Sequence, residues 1–364
     1  MMKRLGMSLL LALAIAFTAS SAAVVADAPS AQSLQSFDGS AGWLNSPPLS
    51  PSSLSGKVVL VDFWEYTCIN CLRTLPYLHA WDQRYQADGL VIIGVHSPEF
   101  SFSGEKANVA AATSRLGITW PVVLDPNHTI WERFAVPGWP TEDLYDQQGR
   151  LVDTQTGEGN YPQTEAKIQS LLLAANPGLK LPAVMPLLPQ DSYDKPGATC
   201  YLGTPETYVG PWHGQAVANA GMGNDPSIDT AYEDPGSHID GDIYLQGYWH
   251  ASPDEEAMVS GGGNGYLAIK YKAIQVVSVI KPEKGSPVRV NVLEDGQPIP
   301  KADAGPDIQF DSSGGSYVVV DAPRAYELLD NVHFGEHELR LMPQGYGAGF
   351  YSFAFESCEV GADK

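Results

Sequence analysis

Apolar residues in the first half of the chain fall into short continuous runs, separated by stretches with helical spacing. Residues 57–64, Lys57-Val58-Val59-Leu60-Val61-Asp62-Phe63-Trp64, are interrupted only by one acid and read as a buried central strand. Helix-compatible periodicity follows over 71–87, where Pro76 removes one amide donor and would bend the helix or adjust its first turns. A second apolar strand spans 90–95, a helix 104–116, a short strand 122–124 and a brief helix 129–134. Leu144-Tyr145 precede a turn at 146–149, a further strand at 150–154 and a final helix at 163–175. Alternation of this kind predicts an α/β domain that ends near Pro177.

A Pro-rich stretch at 181–196 then changes the pattern. Short β-like runs follow at 243–245, 266–271, 275–280, 288–293, 317–320, 337–342 and 350–355, with turn residues between them and little long-helix signal. An all-β sandwich fits better than a second α/β domain. The resulting division is 57–178 for the α/β domain, 179–197 for a linker and 198–364 for the β-sandwich. Residues 27–56, rich in Ser, Pro, Ala and Gly, read as a leader and entry segment in which Trp43-Leu44-Asn45 packs locally.

Length and charge narrow the class. A chain of 364 residues accommodates two ordinary domains. Its net charge of -21 argues against nucleic-acid binding, which requires cations to neutralise phosphates. Lys3 and Arg4 precede an apolar stretch at 9–17 and then small residues, the order of a secretory signal peptide over 1–26 cleaved near Ala23 or Ala26. An uncleaved anchor is the alternative. No later apolar run approaches 18 residues, so the expectation is a soluble protein of the periplasm or the secreted space, where disulfides persist.

Four cysteines are present: Cys68, Cys71, Cys200 and Cys358. They could hold zinc, but the second pair lacks ligand spacing and no histidine cluster completes a site, so neither metal nor other cofactor is expected. A redox pair plus a structural pair is simpler. A strand that delivers Cys68 to a helix N-terminus puts its sulfur near unpaired amides and the positive dipole end, which favour the thiolate. Cys71, one turn on, is placed to attack a mixed disulfide formed at Cys68. A purely structural disulfide is the competing reading. Glu158 could be a charged loop residue near the site, and Thr164-Glu165 could support the last helix. No glycosidase carboxylate pair, HExxH, phosphate-loop or dinucleotide motif appears.

The run from Val61 through Cys71-Leu72-Arg73-Thr74-Leu75-Pro76-Tyr77, with Gly94-Val95-His96-Ser97-Pro98-Glu99-Phe100, Trp139-Pro140 and Gly157-Glu158-Gly159-Asn160-Tyr161, resembles the thioredoxin superfamily. The resemblance is to its periplasmic TlpA-like branch and to the C-terminal portion of DipZ-like proteins. It implies that Cys68 attacks and Cys71 resolves. It also places Asp62 behind the pair as a buried proton relay, against the alternative of a solvated strand-end acid. Trp64 would shelter the site or merely pack the core, while Trp139 and a cis Pro140 would face the cysteines and position substrate. Ile69-Asn70 replaces the familiar Gly-Pro, which leaves the direction of exchange open.

The stretches 201–210, 245–249 and 351–355 resemble the β-rich extension of DipZ-like proteins, itself similar to carbohydrate-binding-module jelly rolls. By that resemblance Cys200 and Cys358 would tie the first and last strands. Tyr208, Trp212, Tyr248 and Trp249 would either form an aromatic surface for a glycan or fill the sheets. The implied function is an extracytoplasmic thiol–disulfide oxidoreductase acting on protein thiols or disulfides and served by a separate redox partner, membrane-bound or soluble. The alternative is a carbohydrate- or protein-binding module on a structural thioredoxin fold.

Overall fold

The computed structural model describes residues 33–189, 191, 197–213, 217–219, 225–254, 256–261 and 265–360. The signal-peptide reading over 1–26 lies outside them, as does part of the linker. Within the first half, the strands are β1 (Trp43–Leu44), β2 (Val58–Trp64), β3 (Leu90–His96), β4 (Val122–Leu124), β5 (Thr141–Tyr145) and β6 (Leu151–Thr156). The helices are α1 (Ile69–Tyr85), α2 (Lys106–Arg115), α3 (Thr129–Phe134) and α4 (Tyr161–Ala175). They make one sheet of order β1-β4-β3-β2-β5-β6. β2, β3 and β4 run parallel, while β5 is antiparallel to β2.

Alternation along the central strand decides what the site receives. Val59, Val61 and Phe63 pack with Ile130 and Phe134 of α3, and with Leu34 and Phe37 of the entry segment. Val58, Leu60 and Trp64 pack on the other face, with Leu75, Leu78 and Trp81 of α1 and Ile168 of α4. Asp62 shares parity with this second set, so the pleat turns it toward α1 and the cysteines. In the same register Asp62 pairs with Glu142 of β5.

Residues 33–56, read from sequence as an entry segment, are built into the α/β core. Leu34 N donates to Gly149 O at 2.7 Å and Ala41 N to Leu124 O at 2.8 Å, while β1 extends the sheet. The stretch after α4 also docks: Met185 N donates to Glu165 at 2.7 Å, and Tyr77 Oη donates to Asp191.

The second half is β-rich. Its strands are β7 (Ala198–Cys200), β8 (Thr207–Tyr208), β9 (Thr230–Tyr232), β10 (Ile243–Ala251), β11 (Met258–Gly261), β12 (Tyr266–Pro282) and β13 (Val288–Glu294). They continue through β14 (Gln297–Pro298), β15 (Gln309–Phe310), β16 (Ser316–Val320), β17 (Arg324–Pro343), β18 (Tyr346–Glu356) and β19 (Cys358–Val360). The long β12 pairs with β17 along most of its length. Its first part also pairs with β10 and its second part with β18, and β11 joins β10 to β18, so the pairing closes on itself. The strict alternation of β13 sends Val288, Val290 and Val292 inward.

Cys200 and Cys358 face each other across β7 and β19 and form a disulfide. A bridge between residues 158 apart in sequence restricts the unfolded chain strongly. The double Cys200→Ala/Cys358→Ala variant is expected to lose about 2–4 kcal/mol in urea unfolding. A midpoint unchanged from the parent would contradict this.

The four aromatic residues read as a possible recognition surface are not brought onto one face. Trp249 is buried in the core and contacts Phe350, whereas its neighbour Tyr248 points to solvent, as strand alternation requires. Trp212 is exposed, and Tyr208 turns toward the α/β domain.

Candidate active site

Cys68 ends the β2 loop and caps α1. Its extended backbone lets Sγ accept a hydrogen bond from Cys71 N at 3.3 Å. The helix therefore begins at Ile69 rather than at residue 71, because the thiol supplies the cap. Both cysteines are free; Cys68 is half-buried and Cys71 buried.

The electrostatics differ from the sequence expectation. The hydrogen bond with Cys71 favours the Cys68 thiolate, but burial and the Glu99 and Glu65 carboxylates oppose it, and the net direction is upward. Burial, reinforced by Cys68, pushes the Cys71 thiol well up. Helix-end amides alone therefore do not set the charge of Cys68 here.

Beneath the pair lie two buried acids. Burial raises Asp62 from 3.8 to about 7, and its Oδ1 has no hydrogen-bond partner among the described residues. Its cross-strand neighbour Glu142 is also raised, first by burial and then by Asp62. Both act on the sulfur side of the sheet, and the Asp62 charge raises Cys71 in turn. Glu65 is a third buried acid, lifted to about 7 by burial, with Thr67 N donating to it at 2.6 Å. Burial lowers His96 to about 3, so it stays neutral at ordinary pH.

A raised carboxyl makes the fold bind more protons than the unfolded chain between pH 3.8 and about 7. Its contribution to stability is present below that window and lost as pH rises through it. Asp62→Asn is accordingly expected to gain roughly 2–4 kcal/mol over the parent at pH 8, relative to the difference between them at pH 4. Denaturation at the two pH values measures it; an equal difference at both would rule it out.

The β-rich domain closes over the cysteines. A cavity of about 140 Å³ is lined by Cys68, Ile69 and Trp139 from one domain and by Glu206, Tyr208 and Val277 from the other. Ile69 is buried with Val277 and Ala325, so the first residue between the cysteines is an interdomain contact. Arg73, just beyond Cys71, reaches Glu158 at 3.3 Å, Glu356 at 3.2 Å and Gln275 at 2.8 Å. Phe102 packs edge-on against Tyr351, with ring centroids 4.7 Å apart.

Trp139 lines the cavity, and its bond to Pro140 is cis. Trp64 does not line it. This indole is buried edge-on against His96 over Gly94, where a Cβ would come within 2.8 Å of Nε1. Glu158 pairs with Arg73, two residues beyond Cys71, and does not line the cavity, whereas Glu165 is buried farther along, accepting from Arg84 and Tyr85. Sequence reading missed Glu142, Glu99 and Glu206. The first was recoverable only from strand register, and the others only from the docking of two domains. Among the described residues no group of three or more His, Cys, Asp or Glu side chains is placed to hold a metal.

The comparisons with known proteins fit this geometry. A family model described as "AhpC/TSA family" matches residues 34–154, and one described as "Thioredoxin like C-terminal domain" matches 204–355. Protein DipZ of Mycobacterium bovis is 36% identical over 271 residues, covering 74% of this chain and 37% of DipZ. The chain is thioredoxin-like and DipZ-related. It spans little more than a third of the length of that DipZ relative. The thiol-disulfide oxidoreductase YkuV of Bacillus subtilis is 23% identical over 141 residues, 39% of this chain and 95% of YkuV. NHL repeat-containing protein 2 of Bos taurus is 41% identical over 121 residues, 32% of this chain and 17% of that protein.

Proposed function

We propose that this chain is an extracytoplasmic thiol–disulfide oxidoreductase acting on protein disulfides through Cys68 and Cys71. The observation that carries the reading is the half-buried Cys68 thiol at a helix cap, lining a cavity, with buried Cys71 donating to it from the next turn. The Cys68 thiolate attacks one sulfur of a substrate disulfide and expels the other as a thiolate, which takes up a proton. Cys71 then loses its proton toward Asp62 or Glu142 and attacks Cys68 Sγ. The substrate leaves reduced by two electrons, and Cys68 and Cys71 are left as a disulfide. A separate redox partner, soluble or membrane-bound, restores the dithiol; electron flow the other way uses the same residues.

In this reading Trp139 and Pro140 hold the substrate segment, Trp64 supports the strand behind it, and Asp62 moves the proton of Cys71. The β-rich domain is read as a jelly-roll sandwich, in which the long β12 would pass between two faces, pairing with β10 along its first part and β18 along its second, and its role here is to wall the redox cavity. The DipZ relationship supports an extracytoplasmic site of action.

Trapping tests the reading. Cys71→Ser retains the attacking sulfur but cannot resolve, so it should accumulate a covalent adduct with a disulfide-bonded protein that a reductant releases. Mass spectrometry under non-reducing conditions reads it. Absence of any adduct at Cys68 in the folded variant would overturn the proposal.

A further inference from the structure

The cavity at Cys68 is too small for a whole ligand, being well below the roughly 300 Å³ at which small-molecule pockets begin. It does not stand alone. A second cavity of about 660 Å³ shares Glu99 with it and runs past Phe100 and His128 to Trp212. The rings of His128 and Trp139 lie 6.2 Å apart and border the two cavities from one side. Glu99 thus adjoins both cavities, with Cys68 in the lining of one and exposed Trp212 in the lining of the other.

Its chemistry is one-sided. Glu99 and Glu206 line the first cavity, and Glu99, Glu105 and Glu256 line the second. Among the described residues no lysine or arginine lines either. Glu256 is held by Ser101, whose backbone N donates to it at 2.9 Å, and Glu99 accepts from Tyr208 Oη, so these acids are fixed by contacts that cross between domains. Glu206 is exposed at the rim. Burial raises Glu99, and burial together with Glu99 raises Glu206 to about 8, so a cation entering the groove relieves both acids by favouring their charged forms, and an exposed indole adds a face on which it can rest.

We propose that the two cavities form one recognition groove, built from both domains, for a substrate segment bearing Lys or Arg beside its disulfide-bonded cysteine. This rests on the exchange function proposed above and names the class of substrate that function serves. The segment's cysteine enters at Cys68, and its basic side chains lie against Glu99, Glu206 and Glu105. Thr67, Asn70 and Ser352 give the entrance polar groups without adding charge.

Single-turnover reduction of three synthetic peptide disulfides by the pre-reduced full chain tests the groove. The peptides have the same length, and their cysteine is flanked by Lys, by Ser or by Glu. The Lys peptide should react with a second-order rate constant about tenfold or more above that of the Glu peptide, with Ser between, and added salt should compress the ratio. Glu206→Gln, which alters an exposed side chain, and Glu99→Gln should each bring the ratio toward one. Equal rates for the three peptides with the parent, a faster Ser peptide, or a ratio that both variants leave untouched would overturn the groove. Those outcomes leave Cys68-dependent reduction standing. If instead no peptide is reduced in a Cys68-dependent manner, the exchange function itself fails and the groove falls with it.

Discussion

Cys68→Ser should lower disulfide reduction by on the order of 10³-fold or more, to the level of the uncatalysed reaction. A serine hydroxyl is essentially never ionised near neutral pH and is a poor nucleophile toward sulfur, so the first bond-forming step has no reagent. Among the described residues no other thiol can stand in. Cys200 and Cys358 are joined to each other, and Cys71 is buried beneath Cys68, outside the lining of the cavity. The loss should appear in the rate with a peptide disulfide, while the unfolding midpoint stays near that of the parent. Retention of a tenth of the parental rate in the folded variant would place the nucleophile elsewhere. The contrast with Cys71→Ser is part of the expectation: one variant makes no adduct, and the other makes one it cannot release.

Arg73→Ala should lose about 3–5 kcal/mol of stability. Its guanidinium serves Glu158, Glu356 and Gln275 at once and is itself mostly covered. Burial raises Glu158 to about 7 even though Arg73 pulls it down, so removing the cation leaves that acid and Glu356 covered without a counter-charge. The loss should be larger at pH 8, where Glu158 would have to be ionised, than at pH 5, where its protonation relieves it. Arg73→Lys should recover part of it, since lysine keeps the charge and loses the planar fork. Urea unfolding at both pH values measures this, and a loss below about 1 kcal/mol at pH 8 would show the triad to be only a surface pair. Because Glu356 and Gln275 belong to the β-rich domain, the same variant loosens the wall of the redox cavity.

The cysteine chemistry was legible because its signals are local. An apolar strand, an immediate Cys68 and a helical stretch are all consecutive, and the pleat of residues 57–64 already assigns Asp62 to one face. The division into an α/β half and a β-rich half was likewise visible, because strand and helix periods differ. Residues 33–56 were harder to read: their apolar positions are sparse, and only the sheet beside them shows that Leu34 and Phe37 belong to a core. The aromatic residues of the second half were misleading as a group, since Tyr248 and Trp249 are adjacent in sequence and opposite in space.

By itself, then, the sequence determined a strand–Cys68–helix unit with a second cysteine one turn on, and a second domain of short strands. Tertiary structure alone decided what surrounds that unit. Strand register put Glu142 beside Asp62, and domain docking put Glu206, Tyr208 and Val277 over Cys68. The reason is physical: a hydrogen-bonded turn and a pleat depend on neighbours a few residues away. Burial, which here pushes the Cys68 thiol up against the pull of its own helix cap, depends on groups more than a hundred residues distant.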